Sequence, residues 1–279
     1  MNLSQRLSNI FLLLYRNINR TGVLNREWVQ SAFNSSYFAY KKYLEDSTAK
    51  LAKNHPELFH NGHILDIGAN IGYTSYVFSK VLTPGHKIFA FEPEKRNINL
   101  LKKAADLYCF SNKLILTAAA VGDKNGEIEI WRNDGHHADH RVITEEFRKQ
   151  FKGSIQSQKT SLVSIDHFLK TQTANQPIAF IKIDVQGYEL AVCKGMQETL
   201  MAYPNCVVEF EYCPSIMTTL GYHGEELLGF FKERNYFFYQ VGKKGDLIPV
   251  DIEMHEKIRQ GKSFSGYFDI VCAQRNLLG

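Results

Sequence analysis

The chain has 279 residues, of which 44% are apolar and 22% charged, an ordinary composition for a globular protein with one large or two small domains. This composition excludes disorder, collagen and coiled coil as descriptions of the whole chain. The formal net charge is +4, and no run of Lys or Arg exceeds two residues. A nucleic-acid-binding surface usually clusters its basic residues, so we expect no nucleic-acid partner.

Cysteine usage and hydropathy favour a cytoplasmic protein. The five cysteines are odd in number and form no CxxC pair, which argues against a disulfide framework and a cysteine-based zinc site. No apolar run approaches the roughly 20 residues that a membrane-spanning helix needs, so we expect no stable membrane insertion.

Residues 1–60 are predicted to form a helical N-terminal extension. A second helical stretch follows the first over about 27–53. Core packing or a subunit contact is the favoured interpretation of the first stretch, and a subunit contact would make the protein a homo-oligomer. A helix lying on a membrane surface through Arg6, Arg16 and Arg20 is the alternative. The apolar residues of that first stretch recur at steps of three and four and share one face: Leu3, Leu7, Ile10, Phe11, Leu14 and Ile18.

Residues 61–279 are predicted to form one α/β domain, because short apolar strands alternate with helical segments. Such alternation indicates a parallel sheet with helices on both faces. The last helix precedes two strands with a polar insert between them, so we expect an antiparallel pair at the end of the sheet. The predicted strands are 63–67, 87–91, 114–118, 128–131, 178–184, 206–211, 236–240 and 267–273, and the helices are 73–81, 95–107, 189–202 and 225–234.

The turn after the first strand predicts a nucleotide-type ligand. It runs Gly68-Ala69-Asn70-Ile71-Gly72 into a helix, and glycine allows close approach of a ligand to the backbone. The helix start offers N–H groups, and ligands of doubly wound sheets lie at the carboxyl ends of the strands. Glu92 ends the next strand, where a carboxylate can accept ribose hydroxyls. This spacing suits NAD and S-adenosylmethionine equally.

Three features favour S-adenosylmethionine. The turn GANIG lacks the GxGxxG phosphate fingerprint. Asp66 stands two residues before the first glycine, where an acid disfavours a pyrophosphate and suits an ammonium group. The antiparallel end of the sheet is also unlike a dinucleotide fold. An NAD-linked sugar oxidoreductase or epimerase remains an alternative, as does a non-catalytic protein that binds the cofactor.

The motifs resemble those of the FkbM family of S-adenosylmethionine-dependent methyltransferases over about 62–211. The resemblance implies a class I, Rossmann-like fold with a mostly parallel seven-stranded sheet and an antiparallel C-terminal strand. It also implies O-methylation of a hydroxyl on a sugar, glycan or natural-product acceptor. The segments that carry it are ILDIGANIGYTSYVFSK, FAFEPEKRNINLLKK, LTAAAVGDKNGEIEIW, SLVSIDHFL and IAFIKIDVQGYELAVCKGM.

The resemblance also assigns cofactor-binding residues. The family's usual KIDVEG reads KIDVQG here, so Gln186 removes a carboxylate and we expect no metal site. The assignments are Asp66, Gly68, Asn70 and Gly72, with Tyr73 after them, for the methionine end; Glu92 for the ribose; Ala119, Ala120 and Asp123 near the adenine; and Asp184 facing cofactor and substrate.

Two kinds of residue are candidates for the general base. Asp184 at a strand end is favoured, because in-line methyl transfer demands rigid geometry. The alternative is His136 or His137 in the polar loop 133–140. If that loop is helical, His136 and His140 would share a face and permit a metal site; otherwise the loop is simply solvated.

Other polar residues are predicted to be structural. Lys182 lies in an apolar strand and is expected to pair with Glu209 or Glu211 on the next strand. A helix is predicted to begin in the segment SIDHFL. Its N-cap is assigned to Asp166 or Ser164, because both side chains can accept hydrogen bonds from N–H groups at a helix start. Glu189 is expected to complement a helix dipole.

Overall fold

A computed structural model describes residues 38, 47–131, 140–151, 156–172, 177–251 and 268–279. The predicted apolar stripe of the first helix, and with it the proposed oligomer contact, lies outside these residues. None of the helices in the described segments is long and apolar enough to cross a membrane.

The described elements alternate as the sequence predicts. The strands are β1 His63–Ile67, β2 Ile88–Phe91, β3 Leu114–Thr117, β4 Ala120–Val121, β5 Gly126–Trp131, β6 Arg141–Val142, β7 Ser157–Val163, β8 Ile178–Ile183, β9 Val207–Tyr212, β10 Phe237–Val241, β11 Leu247–Pro249 and β12 Phe268–Ala273. The α-helices are α1 Ser47–Asn54, α2 Tyr73–Val81, α3 Lys95–Leu107, α4 Glu145–Gln150, α5 Ile165–Gln172, α6 Glu189–Lys194, α7 Gln197–Ala202, α8 Pro214–Thr219 and α9 Gly224–Lys232.

The main sheet has eight strands in the order β11-β10-β12-β9-β8-β1-β2-β3. Strands β3, β2, β1, β8 and β9 pair in parallel, and β12 is antiparallel to both β9 and β10. The predicted α/β fold with an antiparallel C-terminal strand is therefore confirmed. Two details differ: β12 inserts between β9 and β10 instead of ending the sheet, and β11 adds an eighth strand as a hairpin on β10.

A second sheet, in the order β4-β7-β5-β6, follows β3 in the chain. The sequence predicts β5, which starts two residues earlier than expected and pairs antiparallel with β7. Strand β7 is missed, because its sequence SQKTSLV is polar and only Leu162 is buried. Pairing with β5, rather than apolar patterning, stabilises this strand.

The predicted helix 189–202 is wrong, because the chain breaks it into α6 and α7 at Gly195. A Cβ at Gly195 would lie 1.9 Å from the carbonyl oxygen of Gly122, so the two backbones touch. The side chain of Asp166 accepts hydrogen bonds from the N–H groups of Glu198 and Thr199 at the start of α7. Asp166 therefore caps α7, not its own helix.

The helix preceding residue 60 packs into the main domain. Leu51 and Ala52 of α1 are buried in one apolar cluster with Ile64 of β1 and Phe180 of β8. The predicted division between an extension at 1–60 and a domain at 61–279 stays a prediction. In the described residues, α1 contributes directly to the core beside the sheet.

We expect Leu51→Ala to lower the free energy of unfolding by about 2–5 kcal/mol, because Leu51 is fully buried and the truncation leaves a cavity. The matched control is Lys50→Ala on the exposed side of α1, with a change of about 0.5 kcal/mol or less. Urea denaturation measures both changes. Equal stability of the two variants would show that α1 does not contribute to the core.

Candidate functional site

The carboxyl ends of β1 and β8 approach each other so closely that only glycine fits. Gly68 has φ +87°, and a Cβ there would lie 1.9 Å from the carbonyl oxygen of Asp184. The N–H of Asp184 donates to the carbonyl of Ile67 at 2.9 Å, and the N–H of Gly68 donates to that of Phe91 at 3.0 Å. These contacts join the ends of β1, β2 and β8 into one edge.

Gly72 begins α2 in a left-handed conformation with φ +88°. A Cβ at this position would lie 2.8 Å from Cγ of Leu101 on α3, so glycine again permits close packing. The N-cap residue Gly72 has no side chain, and the backbone N–H of Ser75 in the first turn is hydrogen-bonded to the carboxylate of Asp66. The start of this helix lies at the same edge of the sheet as Gly68 and Asp184, where helix N–H groups favour an anionic group of a ligand.

Glu92 fastens the glycine-rich turn to the segment after β2. Its carboxylate is only 5% exposed and accepts hydrogen bonds from the N–H of Asn70 at 2.9 Å, the N–H of Glu94 at 3.0 Å and Nδ2 of Asn97 at 3.3 Å. Burial raises the pKa of Glu92 to about 7, although the N–H donors act in the opposite direction. Three of the roughly four acceptor positions of this carboxylate are thus occupied.

Asn70 presents an unsatisfied acceptor beside Glu92. Its backbone has φ +50°, a conformation that Asn tolerates better than most residues. Its Oδ1 is buried and has no hydrogen-bond partner within the described segments. A buried acceptor without a partner costs free energy, so this atom is suited to receive a ligand's donor.

Asp66 is a buried acid of β1, two residues before the glycine-rich turn. The side chain is 1% exposed, and Oδ2 accepts a 2.5 Å hydrogen bond from the hydroxyl of Ser75 on α2. Burial raises the pKa of Asp66 to about 6, whereas Ser75 and the positive charge of Lys182 lower it. Its predicted contact with the ammonium end of a cofactor stays a prediction.

Charged side chains cross the sheet in register on the face covered by α1 and α2. Asp66 on β1 is paired with Lys182 on β8, which is paired with Glu209 on β9. Lys182 Nζ lies 2.9 Å from Oδ1 of Asp269 on β12. The ion pair predicted for Lys182 exists, but the hydrogen-bonded partner is Asp269 rather than Glu209 or Glu211, because β12 lies next to β9.

The polar face continues to α1. Thr48 donates a 2.8 Å hydrogen bond to Glu209, and Ser47 donates to Asp269. Burial alone would lower the pKa of Lys182, but the negative charges of Asp269 and Glu209 raise it well above its usual value. Lys182 therefore remains a cation inside the domain.

Asp184 is connected through Gln186 to the carboxyl group of Glu211, which the sequence indicates only as a possible ion-pair partner of Lys182. Nε2 of Gln186 donates to Oδ1 of Asp184 and to Oε2 of Glu211, at 3.0 Å in each case. Burial and the negative charges of Asp184 and Glu189 raise the pKa of Glu211 well above its usual value. The alternation of Val208, Glu209, Phe210 and Glu211 was the available signal, because a strand in that pattern directs both Glu side chains to one face.

Glu189 holds the turn between β8 and α6. Its Oε1 accepts hydrogen bonds from the N–H groups of Val185 at 3.2 Å and Gly187 at 3.1 Å. Its Oε2 is buried without a hydrogen-bond partner among the described atoms, and burial raises the pKa of Glu189 to about 7. Besides its predicted interaction with the helix dipole, the side chain of Glu189 therefore also fixes the turn that carries Gln186.

The remaining predicted cofactor residues occupy different surroundings. Ala119 and Ala120 are buried, and the N–H of Ala119 donates to the carbonyl of Thr117, which also accepts from the N–H of Glu92. The ring of Tyr73 packs edge-on against Phe38. Asp123 is exposed beside Gly195, in a surface groove lined by α6 and α9. The structure thus brings Ala119 near Glu92 and leaves Asp123 on the groove.

The two histidines predicted as general bases, His136 and His137, lie outside the described residues. His140, predicted as a metal ligand together with His136, is half-buried just before β6. In the segments that the structure covers, no three His, Cys, Asp or Glu residues form a group that could hold a metal ion.

The raised pKa values of the buried carboxyl groups predict that the free energy of unfolding falls as the pH rises from about 4.5 to about 7. The folded pKa of Glu189, about 7, lies above its unfolded value of 4.5, so the folded state binds the proton more tightly and loses this stabilisation as pH rises. The lowered pKa of His63 acts in the opposite direction below about pH 6.5, so variants must be compared. We expect Glu189→Gln to gain stability relative to the unsubstituted protein as pH rises, measured by urea denaturation of both proteins.

The control for this pH series is Glu198→Gln, an exposed residue paired with Lys170. This substitution should leave the slope unchanged. A Glu189→Gln variant that parallels the unsubstituted protein at every pH would contradict the assignment.

Solved structures with similar folds include several methyltransferases. The methyltransferase FkbM from Methylobacillus flagellatus is 16% identical with a TM-score of 0.46, and the match covers 72% of this chain and 46% of that one. This chain therefore spans less than half of the length of that protein. An O-methyltransferase from Bacillus cereus in complex with SAH is 11% identical with a TM-score of 0.48, covering 97% and 95% of the two chains. A SAM-dependent O-methyltransferase from Thermotoga maritima is 12% identical with a TM-score of 0.40, covering 82% and 65%.

No curated protein matches the sequence. The sequence model of the Methyltransferase FkbM domain matches residues 66–238, which extend from the buried Asp66 of β1 to β10 and include the glycine-rich turn, Glu92 and Asp184. Because this match covers more than half of the sequence, the chain belongs to the FkbM methyltransferase family.

Proposed function

We propose that the protein is an S-adenosylmethionine-dependent O-methyltransferase acting on a hydroxyl group of a sugar, glycan or natural product. The observation that carries this proposal is the junction of β1, β2 and β8, where Gly68, Asn70, Glu92 and Asp184 meet at one edge. The family assignment supports the same reaction.

The residues at this edge fit the chemistry of S-adenosylmethionine. The start of α2 after Gly72 would lie against the carboxylate of the methionine end, where the helix dipole favours a negative charge. The unpartnered Oδ1 of Asn70 would accept from a donor of the cofactor, such as its ammonium group. Glu92 has one acceptor position left for a ribose hydroxyl and otherwise positions the turn. Ala119, Ala120 and Asp123 are retained as the proposed adenine contacts.

The acidic character of this edge favours a cation. Asp66 and Asp184 lie on the same face of the sheet, and a positively charged sulfonium is stabilised by nearby negative charge. When bound, S-adenosylmethionine supplies an electrophilic methyl group. The same acids would repel the pyrophosphate of NAD, which disfavours the NAD-linked oxidoreductase or epimerase.

Asp184 is the proposed general base. Its backbone is held by a hydrogen bond to Ile67, and its side chain by Gln186, so the carboxylate is rigidly oriented. It would accept the proton from the acceptor hydroxyl as the oxygen gains the methyl group. Rigid placement of the acceptor oxygen contributes most of the rate enhancement in such a displacement.

Calorimetry with S-adenosylhomocysteine and with NAD tests the proposed cofactor directly. We expect binding of S-adenosylhomocysteine and none of NAD. The reverse result would support the oxidoreductase or epimerase. Binding of S-adenosylhomocysteine without methyl transfer to any acceptor would support a non-catalytic cofactor-binding protein.

We expect Asn70→Gly to weaken binding of S-adenosylhomocysteine about ten-fold, the loss of roughly one hydrogen bond. Glycine accepts the φ of +50°, and Oδ1 of Asn70 makes no hydrogen bond that the apo fold would lose. Calorimetry measures the affinity and urea denaturation the stability. His167→Ala, on the exposed side of α5, is the control with unchanged affinity; an Asn70→Gly variant with unchanged affinity would contradict the assignment.

We expect Asp184→Asn to lower the rate of methyl transfer about 10²–10⁴-fold while S-adenosylhomocysteine affinity stays within a few-fold. Single-turnover transfer to a methyl hexopyranoside measures the rate. Loss of affinity alone would make Asp184 a cofactor-binding residue. A rate that rises near pH 6.5, and loses that rise in His136→Ala or His137→Ala, would instead make that histidine the base.

A further inference from the structure

Two carboxyl groups face the proposed acceptor position instead of one. Glu211 is the last residue but one of β9, beside β8, and the register that pairs Lys182 with Glu209 brings Asp184 and Glu211 to the same level and face of the sheet. Both are only partly buried, so a ligand at the carboxyl edge can reach them. Neither the glycine-rich turn nor Glu92 contacts Glu211 among the hydrogen bonds described above.

A single amide holds the pair together. The two N–H bonds of Gln186 donate to Oδ1 of Asp184 and Oε2 of Glu211, each at 3.0 Å, so these oxygens are separated by no more than twice that distance. Gln186 itself has φ +55°, in a turn fixed by the side chain of Glu189. The bridge leaves each carboxyl group with a second oxygen for a ligand.

Charged groups face Glu211 from several elements. Asp184 and Gln186 face Glu211 from the end of β8, Glu189 from α6, Asp269 from β12 and the cation Lys182 from β8. Burial and the three acids outweigh Lys182 and raise the pKa of Glu211 well above its usual value, which favours its neutral form. A neutral carboxyl group both donates and accepts a hydrogen bond, as a hydroxyl group of a ligand requires.

We propose that Glu211 is a specificity-determining residue, that Gln186 positions it beside Asp184, and that the pair binds two hydroxyl groups on adjacent carbons of the acceptor. This inference rests on the proposed function and narrows its substrate class to vicinal diols. Asp184 takes the hydroxyl that is methylated, and Glu211 takes its neighbour. An acceptor without the neighbouring hydroxyl leaves the second carboxyl oxygen of Glu211, which Gln186 does not contact, without a hydrogen bond from the ligand, and this costs binding free energy.

The test measures binding of methyl glucopyranoside, galactopyranoside and mannopyranoside to the S-adenosylhomocysteine complex by saturation-transfer NMR. Each glycoside is compared with deoxy forms that lack one ring hydroxyl. We expect at least one glycoside to bind and one of its deoxy forms to bind about ten-fold more weakly. Absence of binding by every glycoside, or equal binding by all deoxy forms, overturns the diol assignment.

Variants identify the residues responsible. Glu211→Leu should abolish the difference between the glycoside and its deoxy form, and Glu211→Gln should restore part of it, because an amide also donates and accepts. Gln186→Met, which keeps both carboxyl groups and removes the bridge, should weaken glycoside binding about ten-fold. The control is Glu127→Gln on β5, an exposed carboxylate.

Affinity for S-adenosylhomocysteine separates this inference from the proposed function. All variants should retain it, which also shows that they fold. A deoxy penalty that persists in Glu211→Leu or Gln186→Met overturns the role of the pair even when the cofactor binds. Failure of the unsubstituted protein to bind S-adenosylhomocysteine contradicts the proposed function itself.

Discussion

The contact between the backbones of Gly68 and Asp184 is the constraint on which the candidate site depends. Any side chain at Gly68 would overlap the carbonyl of Asp184, so the ends of β1 and β8 could not meet. Their meeting sets the positions of Asn70 on one side and Gln186 on the other, both in left-handed conformations. Two of the five described non-glycine residues with positive φ therefore lie at this edge.

Two carboxyl groups at the edge join neighbouring elements of the chain. Glu92 joins the glycine-rich turn to the start of α3, and Glu189 joins the end of β8 to α6. Lys182 neutralises part of the acidic face through its ion pair with Asp269. The site is consequently rigid and strongly acidic, a combination that suits a cationic cofactor and an acceptor bound through hydroxyl groups.

Helix α1, which precedes residue 60, packs against both the apolar core and this acidic face. Its apolar residues complete the core, while Thr48 at its start bonds to Glu209. The same helix therefore contributes to stability and covers the charged side chains below the site. A substitution in α1 can change both properties, and measurements of stability and ligand binding are needed to separate them.

The alternation of strands and helices, the glycine-rich turn and the acids at strand ends could be read from the sequence, because periodicity and glycine spacing are local properties. The sequence also indicated that the partner of Lys182 is a carboxylate. That this carboxylate is Asp269, that Gly195 divides a predicted helix, and that Gln186 bridges Asp184 to Glu211 became evident in three dimensions alone. These features depend on which strand lies beside which, and the insertion of β12 between β9 and β10 brings together residues that are more than fifty positions apart in the chain.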